Sequence, residues 1–472
     1  FKDMHGDVWV GTRHGLNLFS RTPVKPIRFW KDQKPEKTRI NTIIEDKKGT
    51  IWAGSNSWGI YLLKDNQVVL PKQNSSEIGT VIYCLYQNKG MYVGSNNGLF
   101  KVAIQEDSIV VQQQISDHVV YSFFIASDDT KWLSTWTAEN GNTVFFEKNG
   151  IPHQLEKLHG IRVFWFEEYA PGEITMGTNQ GLFLWKNGRV ISLNATYKLP
   201  VDRYFAQHYD SLNNIKLFGT HGSGLIKMAG EKVTLFNSKN GFPINSIRAL
   251  HPDDHGGIWI AGQREVFHMP IGKLTHDNPS GTTKQKFSKY RLLGRVDPVA
   301  YPNMELTSNG NLLIATNNGI DELNPKQKMD RSIPILVESF RVDDESISFN
   351  TPFEISASSK KVSIQFTAID FLNGPDLNYE YRLKGFEEKW TTAGSNKTAV
   401  YTNLSAGEYH FEVRVRILDE SIQVKALPVV FEKKQHWYYT WPMLIVYGFL
   451  IILIIRMLVF FRTRNIKQQN IN

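Results

Sequence analysis

The sequence predicts an all-β protein: a seven- or eight-bladed β-propeller, then a β-sandwich, then one C-terminal transmembrane helix. Three observations lead to this prediction. A motif rich in Trp and Gly recurs to about residue 325, strict alternation of apolar and polar residues follows, and a long uncharged stretch lies near the end of the 472 residues. A chain of this length exceeds what one hydrophobic core usually supports, so more than one domain is expected.

The repeated motif is DVWVGTRHGLNLF at residues 7–19 and IWAGSNSWGIYLL at residues 51–63. In each copy an anchor residue stands two positions before a Gly, Ala or Ser. The anchors are Trp9, Trp52, Tyr92, Trp132, Thr175, Leu217, Trp259 and Leu313. Their spacings are 43, 40, 40, 43, 42, 42 and 54 residues, a period that matches propeller blades better than leucine-rich or helical repeats. The last spacing contains the polar stretch 276–289, which we expect to be a long loop.

Each repeat is predicted to form four short strands. An apolar strand such as INTIIED (40–46) leads into a turn such as DKKG, where Asp caps nearby amides and Gly permits a left-handed exit. The Trp of the next strand is large enough to fill the wedge between neighbouring sheets, and the Gly after it permits close backbone approach. No repeat can bury both of its faces alone, so the repeats are expected to stack into a ring.

Some of these residues also have functional interpretations. The D-x-x-G turns could hold calcium or supply catalytic carboxylates, and the Trp anchors could form a sugar platform. Repetition in a fixed register favours turn chemistry and wedge filling instead. His221 and His255 stand in turn positions without the spacing of a metal-binding motif. We therefore expect no metal and no cofactor.

The pattern of apolar strand, D-x-x-G, W-x-G-T and G-L resembles the two-component regulator propeller repeat of extracytoplasmic sensors in bacterial membrane receptors. The resemblance assigns residues 1–330 to the propeller. Ser134 and Ala261 replace the motif Gly in the fourth and seventh copies. Eight anchors imply eight blades, or seven blades and a piece of a preceding propeller. Because the chain begins at Phe1 inside a repeat, we expect it to be a fragment or a processed product.

Residues 334–433 are predicted to form a second domain. The stretches VSIQFTAIDF (362–371) and YHFEVRVRI (409–417) alternate apolar and polar residues, as half-buried antiparallel strands do. Roughly seven such strands in about 100 residues are typical of an immunoglobulin-like sandwich, here without its disulfide. Cys84 is the single cysteine, so a disulfide within the chain and a cysteine metal cluster are both excluded.

The segment 379–415 resembles the triple-tyrosine (Y_Y_Y) domain that follows these propellers in the same receptors. By that resemblance Tyr381, Tyr401 and Tyr409 are its three tyrosines. We expect them to pack the sandwich, with their hydroxyl groups hydrogen-bonded at its edge, rather than to contact a ligand.

Residues 437–455 carry no charge and are long enough to cross a bilayer as a helix. We predict a transmembrane helix at 437–461 and the start of a cytoplasmic segment at 462–472. The aromatic belt at the outer interface is assigned to Trp437, Tyr438, Tyr439 and Trp441. The positive charges on the cytoplasmic side are assigned to Arg462, Arg464 and Lys467. This orientation places residues 1 to about 436 in the periplasm or outside the cell, and the protein in the bacterial inner membrane as a single-pass protein.

The composition and motifs exclude several function classes. The net charge of +8 arises from 54 basic and 46 acidic residues spread along the chain, so a nucleic-acid partner is not expected. No glycine-rich nucleotide loop, phosphoacceptor helix or GGDEF-like element is present, so this chain is not expected to be an enzyme. The family resemblance implies that a full-length protein continues into a histidine kinase or a diguanylate cyclase.

The leading hypothesis is a receptor that binds an extracellular small molecule or oligosaccharide and passes the signal through the sandwich and a single helix. Because one helix alone transmits little, a homodimer is expected. The turns between the second and third strands of each blade share one face with the blade-to-blade connections. The candidate ligand-binding residues on this face are Trp58, Trp136, Asn97, Arg264 and Asn317.

Two alternatives belong to other function classes. A membrane-tethered propeller enzyme, a lyase or a glycosidase, would need paired carboxylates that sequence cannot locate in space. The stretch SDDTKW (127–132) only faintly resembles a sialidase Asp-box. A propeller could instead be a scaffold that docks another protein.

Overall fold

The structure is a computed structural model, and it describes most of the chain. The described residues are 1–2, 8–13, 15–19, 23–31, 34–36, 38–64, 67–69, 71, 77–105, 108–275, 288–297, 301–327, 334–348, 352–368, 377–393, 397–416, 423–425 and 428–469. Most of the predicted loop 276–289 lies outside them. The chain divides into two compact units, Phe1–Asp330 and Arg331–Asn472.

The first unit contains seven antiparallel four-stranded sheets, which we number as blades 1 to 7. Blade 1 is Ile40–Glu45, Ile51–Ser55, Ile60–Lys64 and Gln67–Val69. Blade 2 is Ile82–Gln87, Met91–Ser95, Leu99–Gln105 and Ser108–Ser116. Blade 3 is Val119–Ile125, Lys131–Thr137, Gly141–Lys148 and Ile151–Gln154. Blade 4 is Val163–Ala170, Glu173–Thr178, Gly181–Lys186 and Arg189–Ser192.

Blades 5 to 7 complete the set. Blade 5 is Tyr204–Asp210, Ile215–Thr220, Leu225–Ala229 and Lys232–Phe236. Blade 6 is Ala249–Pro252, Gly257–Ala261, Glu265–Pro270 and Ser288–Arg291. Blade 7 is Met304–Leu306, Leu312–Thr316, Gly319–Leu323 and, as its outermost strand, the N-terminal segment Val24–Ile27. A short helix, Leu193–Tyr197, and 3-10 turns at Glu156–Leu158, Ser238–Asn240 and Ile271–Thr275 lie between strands.

The ring is closed. The first strand of each blade lies innermost and packs beside that of the next blade, and that of blade 7 packs beside that of blade 1. At this junction Ile43 N donates to Pro302 O at 3.0 Å, and Ser308 Oγ donates to Glu45 Oε1 at 2.8 Å. The predicted all-β propeller is thus confirmed, with seven blades in the ring.

The first repeat copy is not one of the seven blades. Val8–Thr12 and Gly15–Phe19 form a two-stranded hairpin that contains the anchor Trp9, and a second hairpin joins Phe29–Lys31 to Lys34–Glu36. Eight anchors therefore correspond to seven blades and one separate hairpin.

The repeated residues of the motif have visible structural roles. Trp52, Trp132 and Trp259 are each at most 3% exposed, and Trp52 packs among apolar residues of blades 1 and 2. A Cβ on Gly177 would lie 2.0 Å from Trp165 Cε2, so the motif Gly leaves space for the innermost strand. The Thr178 hydroxyl donates to the Gly181 carbonyl at 2.8 Å and so fixes the next turn.

The second unit contains two facing sheets. One has the strand order Glu345–Ile347, Ile335–Val342, Lys361–Ala368 and Thr398–Thr402. The other has the order Phe353–Ile355, Val429–Lys433, Gly407–Arg416, Asn378–Lys384 and Thr391–Thr392, with Gln423–Lys425 also paired to Gly407–Arg416. Phe340, Phe366, Phe411 and Phe431 from the two sheets share one buried core, which makes the domain a sandwich.

The chain ends in a long helix, Trp441–Gln469, after a 3-10 turn at Trp437–Tyr439. The helix begins four residues later than predicted, and Pro442 occupies its first turn, where a missing amide hydrogen costs nothing. The segment Trp441–Asn465 is apolar and long enough to cross a membrane, and none of its most apolar window is buried in the protein. An unburied apolar helix of this length matches a bilayer rather than a globular core.

Candidate ligand-binding site

The centre of the propeller ring contains a cavity of ≈ 330 Å³. The innermost strands of all seven blades, or the segments that lead into them, contribute to its lining. A cavity of this size falls at the lower end of the range of small-molecule pockets. The ring therefore provides a concave site to which every blade contributes.

One register position determines the chemistry of the cavity. It is the residue of the innermost strand that pairs with the anchor across the first turn of the blade. From blade 1 to blade 7 these residues are Ile44, Tyr86, Phe124, Glu167, His208, His251 and Glu305. All seven line the cavity. Its lining at this level is therefore apolar or aromatic in blades 1–3 and ionisable in blades 4–7.

Glu167 belongs to a hydrogen-bonded group between blades 4 and 5. Gln207 Nε2 donates to Glu167 Oε2 at 2.7 Å, and the Tyr169 hydroxyl donates to Gln207 Oε1 at 3.2 Å. Burial raises the pKa of Glu167 to about 7, against the opposing effect of the Gln207 hydrogen bond. This carboxyl group therefore titrates near neutral pH.

The ionisable residues of blades 5 to 7 are also perturbed by burial. Burial raises the pKa of Glu305 to about 7, and the nearby Glu45 carboxylate raises it further. Burial lowers the pKa of His208 and of His251. His251 Nε2 lies 3.9 Å from Glu305 Oε2. Burial in the cavity thus shifts both kinds of group toward their uncharged forms relative to water, and the two carboxyl groups change charge near pH 7.

A second group of residues lies where the innermost strands begin, on the side of the ring that carries the turns between second and third strands. We call it the arginine collar, and it consists of Arg39, Arg162, Arg203, Arg248 and Arg295. The carbonyl oxygens of Arg39, Arg162, Arg203 and Arg295 accept hydrogen bonds from Asn56, Asn179, His221 and Asn317 of those turns. Arg248 directly precedes the innermost strand of blade 6.

Two carboxylates accompany the collar. Asp297 Oδ2 lies 3.6 Å from Arg39 Nε, and its Oδ1 lies 3.0 Å from Arg295 Nε. Asp202 Oδ2 accepts hydrogen bonds from the amide and hydroxyl of Ser223, at 2.9 and 2.8 Å, so it holds a turn. Five guanidinium groups against two carboxylates give this set a net charge of +3.

Aromatic rings lie under the collar. The guanidinium carbon of Arg162 is 3.8 Å from the centre of the Tyr121 ring, and that of Arg248 is 5.0 Å from the Phe205 ring. Tyr83 packs edge-on against Tyr121, with ring centres 4.8 Å apart. Burial lowers the pKa of Arg162 and of Arg248. The collar therefore combines cations with apolar ring faces.

The structure places the five predicted ligand residues in or beside the turns of five different blades. Trp136 is 40% exposed at the end of a blade 3 strand, whereas Trp58 is half-buried against the cluster that contains Phe29 and Tyr61. Asn97 and Arg264 are exposed in the turns of blades 2 and 6.

Asn317 is also exposed, in the turn of blade 7, and it is bonded to the collar. The backbone N–H of Asn317 donates a hydrogen bond to Arg295 O, and its side-chain Oδ1 accepts one from Arg295 N, both at 2.8 Å. Asn96 and Asn179 accept equivalent bonds in blades 2 and 4, from Val81 N and Arg162 N. The side chain of Asn97 donates to Glu77 O at 3.2 Å. Repeated turn asparagines therefore tie the turn to the start of the innermost strand.

The three predicted tyrosines lie in the sandwich. The Tyr409 hydroxyl donates to Ser405 O at 2.8 Å, and the Tyr401 hydroxyl donates to Glu387 Oε1 at 3.0 Å. Tyr381 is partly buried against the core, with its ring centre 6.4 Å from that of Tyr401.

The sequence analysis missed both the ionisable cavity residues and the arginine collar. A signal for the first was present, because the first strands of blades 4–7 carry Glu or His eight or nine residues before the anchor, where earlier repeats carry apolar or aromatic residues. The collar had a weaker signal, an arginine at the start of the apolar strand in only some repeats. Among the described residues, no group of three or more His, Cys, Asp or Glu could hold a metal ion.

Comparison with known proteins agrees with this architecture. Residues 370–423 match the Y_Y_Y domain, and this range contains Tyr381, Tyr401 and Tyr409. The chain is 21% identical over 603 residues to Histidine kinase P4 of Formosa agariphila. That match covers 88% of this chain and 43% of the kinase, so the chain spans less than half the length of this relative.

Among solved structures, the chain resembles the extracellular domains of two hybrid two-component systems of B. thetaiotaomicron. One has a TM-score of 0.49 and 15% identity, covering 93% of this chain and 62% of that one. The other has a TM-score of 0.35 and 17% identity, covering 92% and 72%. The resemblance inferred from the sequence is confirmed by the match of residues 370–423 to the Y_Y_Y domain and by the similarity of the chain to a histidine kinase.

Proposed function

We propose that this chain is the ligand-sensing region of a single-pass bacterial membrane receptor. The propeller binds an extracytoplasmic ligand, the sandwich relays the change, and the terminal helix carries it to a cytoplasmic output domain. The observation that carries this proposal is the combination, in one chain, of a closed propeller with a central cavity of mixed apolar and ionisable lining and an unburied apolar helix.

The output domain is proposed from the relative. A protein named as a histidine kinase matches 88% of this chain through less than half of its own length, which leaves room for a kinase domain elsewhere in that protein. We propose a histidine kinase as the output domain, with a diguanylate cyclase as the alternative.

The orientation follows from charge. Arg462 and Arg464 lie near the C-terminal end of the apolar segment, and Trp437 and Tyr439, 69% and 60% exposed, lie at its other end. Basic residues favour the cytoplasmic side, and aromatic residues favour the interface. We therefore propose that the propeller and the sandwich are periplasmic or extracellular, in the inner membrane of a bacterium.

A homodimer is part of the proposal. A ligand can shift the equilibrium between two receptor states only as far as it binds one state more tightly. Two helices that change their mutual position provide two such states, whereas one helix in a fluid bilayer provides no reference against which to move.

The test uses the full chain in intact cells. Cysteines are introduced one at a time at Leu212, which is 95% exposed, and at Asn470, after the apolar segment, in a Cys84→Ser background. Each variant is then treated with a membrane-impermeant thiol reagent. Labelling at 212 and protection at 470 are expected. The reverse pattern, or labelling of both in unbroken cells, would contradict the orientation.

A second candidate function is favoured by the cavity itself. Carboxyl groups with a pKa near 7 are typical of general acids, so Glu167 and Glu305 could serve a tethered lyase or glycosidase. Incubation of the full chain with glycans, followed by product analysis, distinguishes the two. Turnover that is lost in Glu167→Gln or Glu305→Gln favours the enzyme, and binding without turnover favours the sensor.

A further inference from the structure

We propose that the arginine collar binds an acidic oligosaccharide, a glycan that carries carboxylate or sulfate groups. This inference rests on the proposed sensor function and names the class of its ligand.

The first argument is charge that the protein itself does not neutralise. Asp297 forms ion pairs with Arg39 and Arg295, and Asp202 accepts a hydrogen bond from the Ser223 hydroxyl. Among the described residues, no carboxylate lies within ion-pair distance of Arg203 or Arg248. A negatively charged ligand would supply the counter-charge that Arg203 and Arg248 lack.

The second argument is a buried cation with an open hydrogen-bonding position. Arg248 is only 5% exposed, and its Nε has no hydrogen-bond partner among the described residues. Buried polar groups are normally hydrogen-bonded, so this N–H group is suited to donate a hydrogen bond to a ligand oxygen. Planar guanidinium groups match carboxylate and sulfate oxygens in geometry.

The third argument is the number and distribution of the cations. They come from blades 1, 4, 5, 6 and 7, so five different blades each contribute one cation at the mouth of the ring. A single small anion can contact only one or two of them. A ligand with several acidic groups along a chain can contact more.

The fourth argument is the group of aromatic rings beside the cations, in which Tyr83 and Tyr121 are half-buried and Phe164 and Phe205 are buried behind them. Tyr83, Tyr121, Phe164 and Phe205 contribute rings from four consecutive blades, and Phe164 lies 4.9 Å from Phe205 between ring centres. Sugar rings present apolar faces that stack on aromatic side chains. Cations beside aromatic rings therefore fit an acidic sugar better than an inorganic anion.

The test screens the full chain in detergent micelles against a glycan array. Each acidic oligosaccharide is paired with its neutral, carboxyl-reduced or desulfated form. We expect acidic members to bind and their neutral forms to bind at least about tenfold more weakly, because the neutral forms lose their charge-assisted hydrogen bonds to the guanidinium groups. Affinity should fall as salt rises from 50 to 500 mM, because exposed charges are screened (Debye length roughly 10 Å at 0.1 M).

Three variants then locate the site. Arg203→Gln, at an exposed position, and Arg162→Gln should each weaken binding of the best acidic glycan by about tenfold. Arg189→Gln, on the exposed outermost strand of blade 4, should bind like the parent chain and serves as the matched control. Thermal unfolding of each variant identifies any loss that comes from misfolding, and Arg203→Gln carries the test if Arg162→Gln unfolds.

Each outcome decides between the two proposals. Binding of acidic glycans that both collar variants weaken supports the inference. Neutral glycans that bind as well as acidic ones, or acidic glycans that bind unchanged to both variants, overturn it and leave the sensor proposal standing. An array on which no glycan binds overturns the inference and leaves the sensor proposal, which names no ligand class, standing.

Discussion

Gln207 Nε2 donates a hydrogen bond of 2.7 Å to Glu167 Oε2, which joins the innermost strands of blades 5 and 4. This bond holds a carboxyl group inside the ring, where burial raises its pKa to about 7 from an ordinary value of 4.5. The cavity is therefore sensitive to pH in the neutral range, and this sensitivity can be measured as stability.

Glu167→Gln is expected to change the pH dependence of unfolding. Because the folded pKa of Glu167 is raised, its neutral form favours the folded state below pH 4.5, and this contribution is lost as pH rises to about 7. The loss is about 1.4 kcal/mol per pH unit within that window. The permanently neutral Gln avoids it, so the variant should gain stability relative to the parent chain between pH 5 and 7.

The measurement is chemical unfolding of the full chain in detergent at several pH values. The half-buried histidines of the cavity, His208 and His251, act in the opposite direction below pH 6.5, but they are present in both proteins and cancel in the difference. Glu156→Gln, at an exposed position, is the control and should give a constant difference. Parallel curves for Glu167→Gln and the parent would contradict the prediction.

Gly177→Ala is expected to destabilise the propeller by about 1–3 kcal/mol, the usual cost of overpacking. The new Cβ would lie 2.0 Å from Trp165 Cε2, and the Trp165 indole is itself held by a 2.9 Å hydrogen bond to Tyr204 O. Gly272→Ala is the matched control, because no atom lies within 4 Å of its Cβ position. Equal unfolding midpoints for the two variants would contradict the prediction, because they would show that Trp165 can move aside for the new methyl group without a loss of stability.

Much of the fold could be predicted because each repeat carries its own local physics. The motif positions that Trp52 and Gly177 occupy recur once in every blade. A large side chain at the first position fills the wedge between sheets, and the absence of a side chain at the second permits close backbone approach, so both roles follow from side-chain size alone. The number of blades could not be read in this way. It depends on Val24–Ile27 pairing with Gly319–Leu323, residues almost the whole propeller apart, which no local pattern encodes.

The candidate site was harder to predict than the fold for a related reason. Arg39 and Arg295 are distant in sequence and meet at Asp297 only because the ring closes. Glu305 reaches its folded pKa through burial, which an isolated strand does not have. Sequence reasoning favoured the turns, where residues differ visibly between repeats, whereas the collar and the cavity arise from convergence at the centre.

Asp46 is expected to stabilise blade 1 through three hydrogen bonds. Its Oδ1 accepts from Lys48 N at 2.8 Å and Thr50 N at 2.9 Å, and its Oδ2 accepts from Trp52 Nε1 at 2.9 Å. Asp46→Ala removes all three and should cost about 2–3 kcal/mol, near 1 kcal/mol for each bond.

Asp46→Asn separates the turn from the indole. The amide keeps an oxygen for the turn but replaces the acceptor of Trp52 Nε1 with a donor, so the variant should lie between Asp46→Ala and the parent in unfolding free energy. Asp129→Asn, in an exposed turn of blade 3, is the control. If Asp46→Asn and Asp46→Ala are equally unstable, the bond to Trp52 dominates, and if neither differs from the parent, the capping role is wrong.

Trp58→Ala and Trp136→Ala are expected to separate binding from stability. Trp58 packs against a buried cluster, so its truncation should cost about 1–3 kcal/mol of unfolding free energy, less than the 3–5 kcal/mol of a fully buried Trp. Trp136 is 40% exposed, so Trp136→Ala should cost well under 1 kcal/mol of unfolding free energy.

If the turn face binds the ligand, Trp136→Ala should still weaken the affinity for the best glycan of the array, as measured by calorimetry. Leu212→Ala, at a 95% exposed residue in the turn between the first two strands of blade 5, is the control. Unchanged affinity in Trp136→Ala, together with weakened affinity in Arg203→Gln, would restrict the site to the collar and exclude the turn of blade 3 from it.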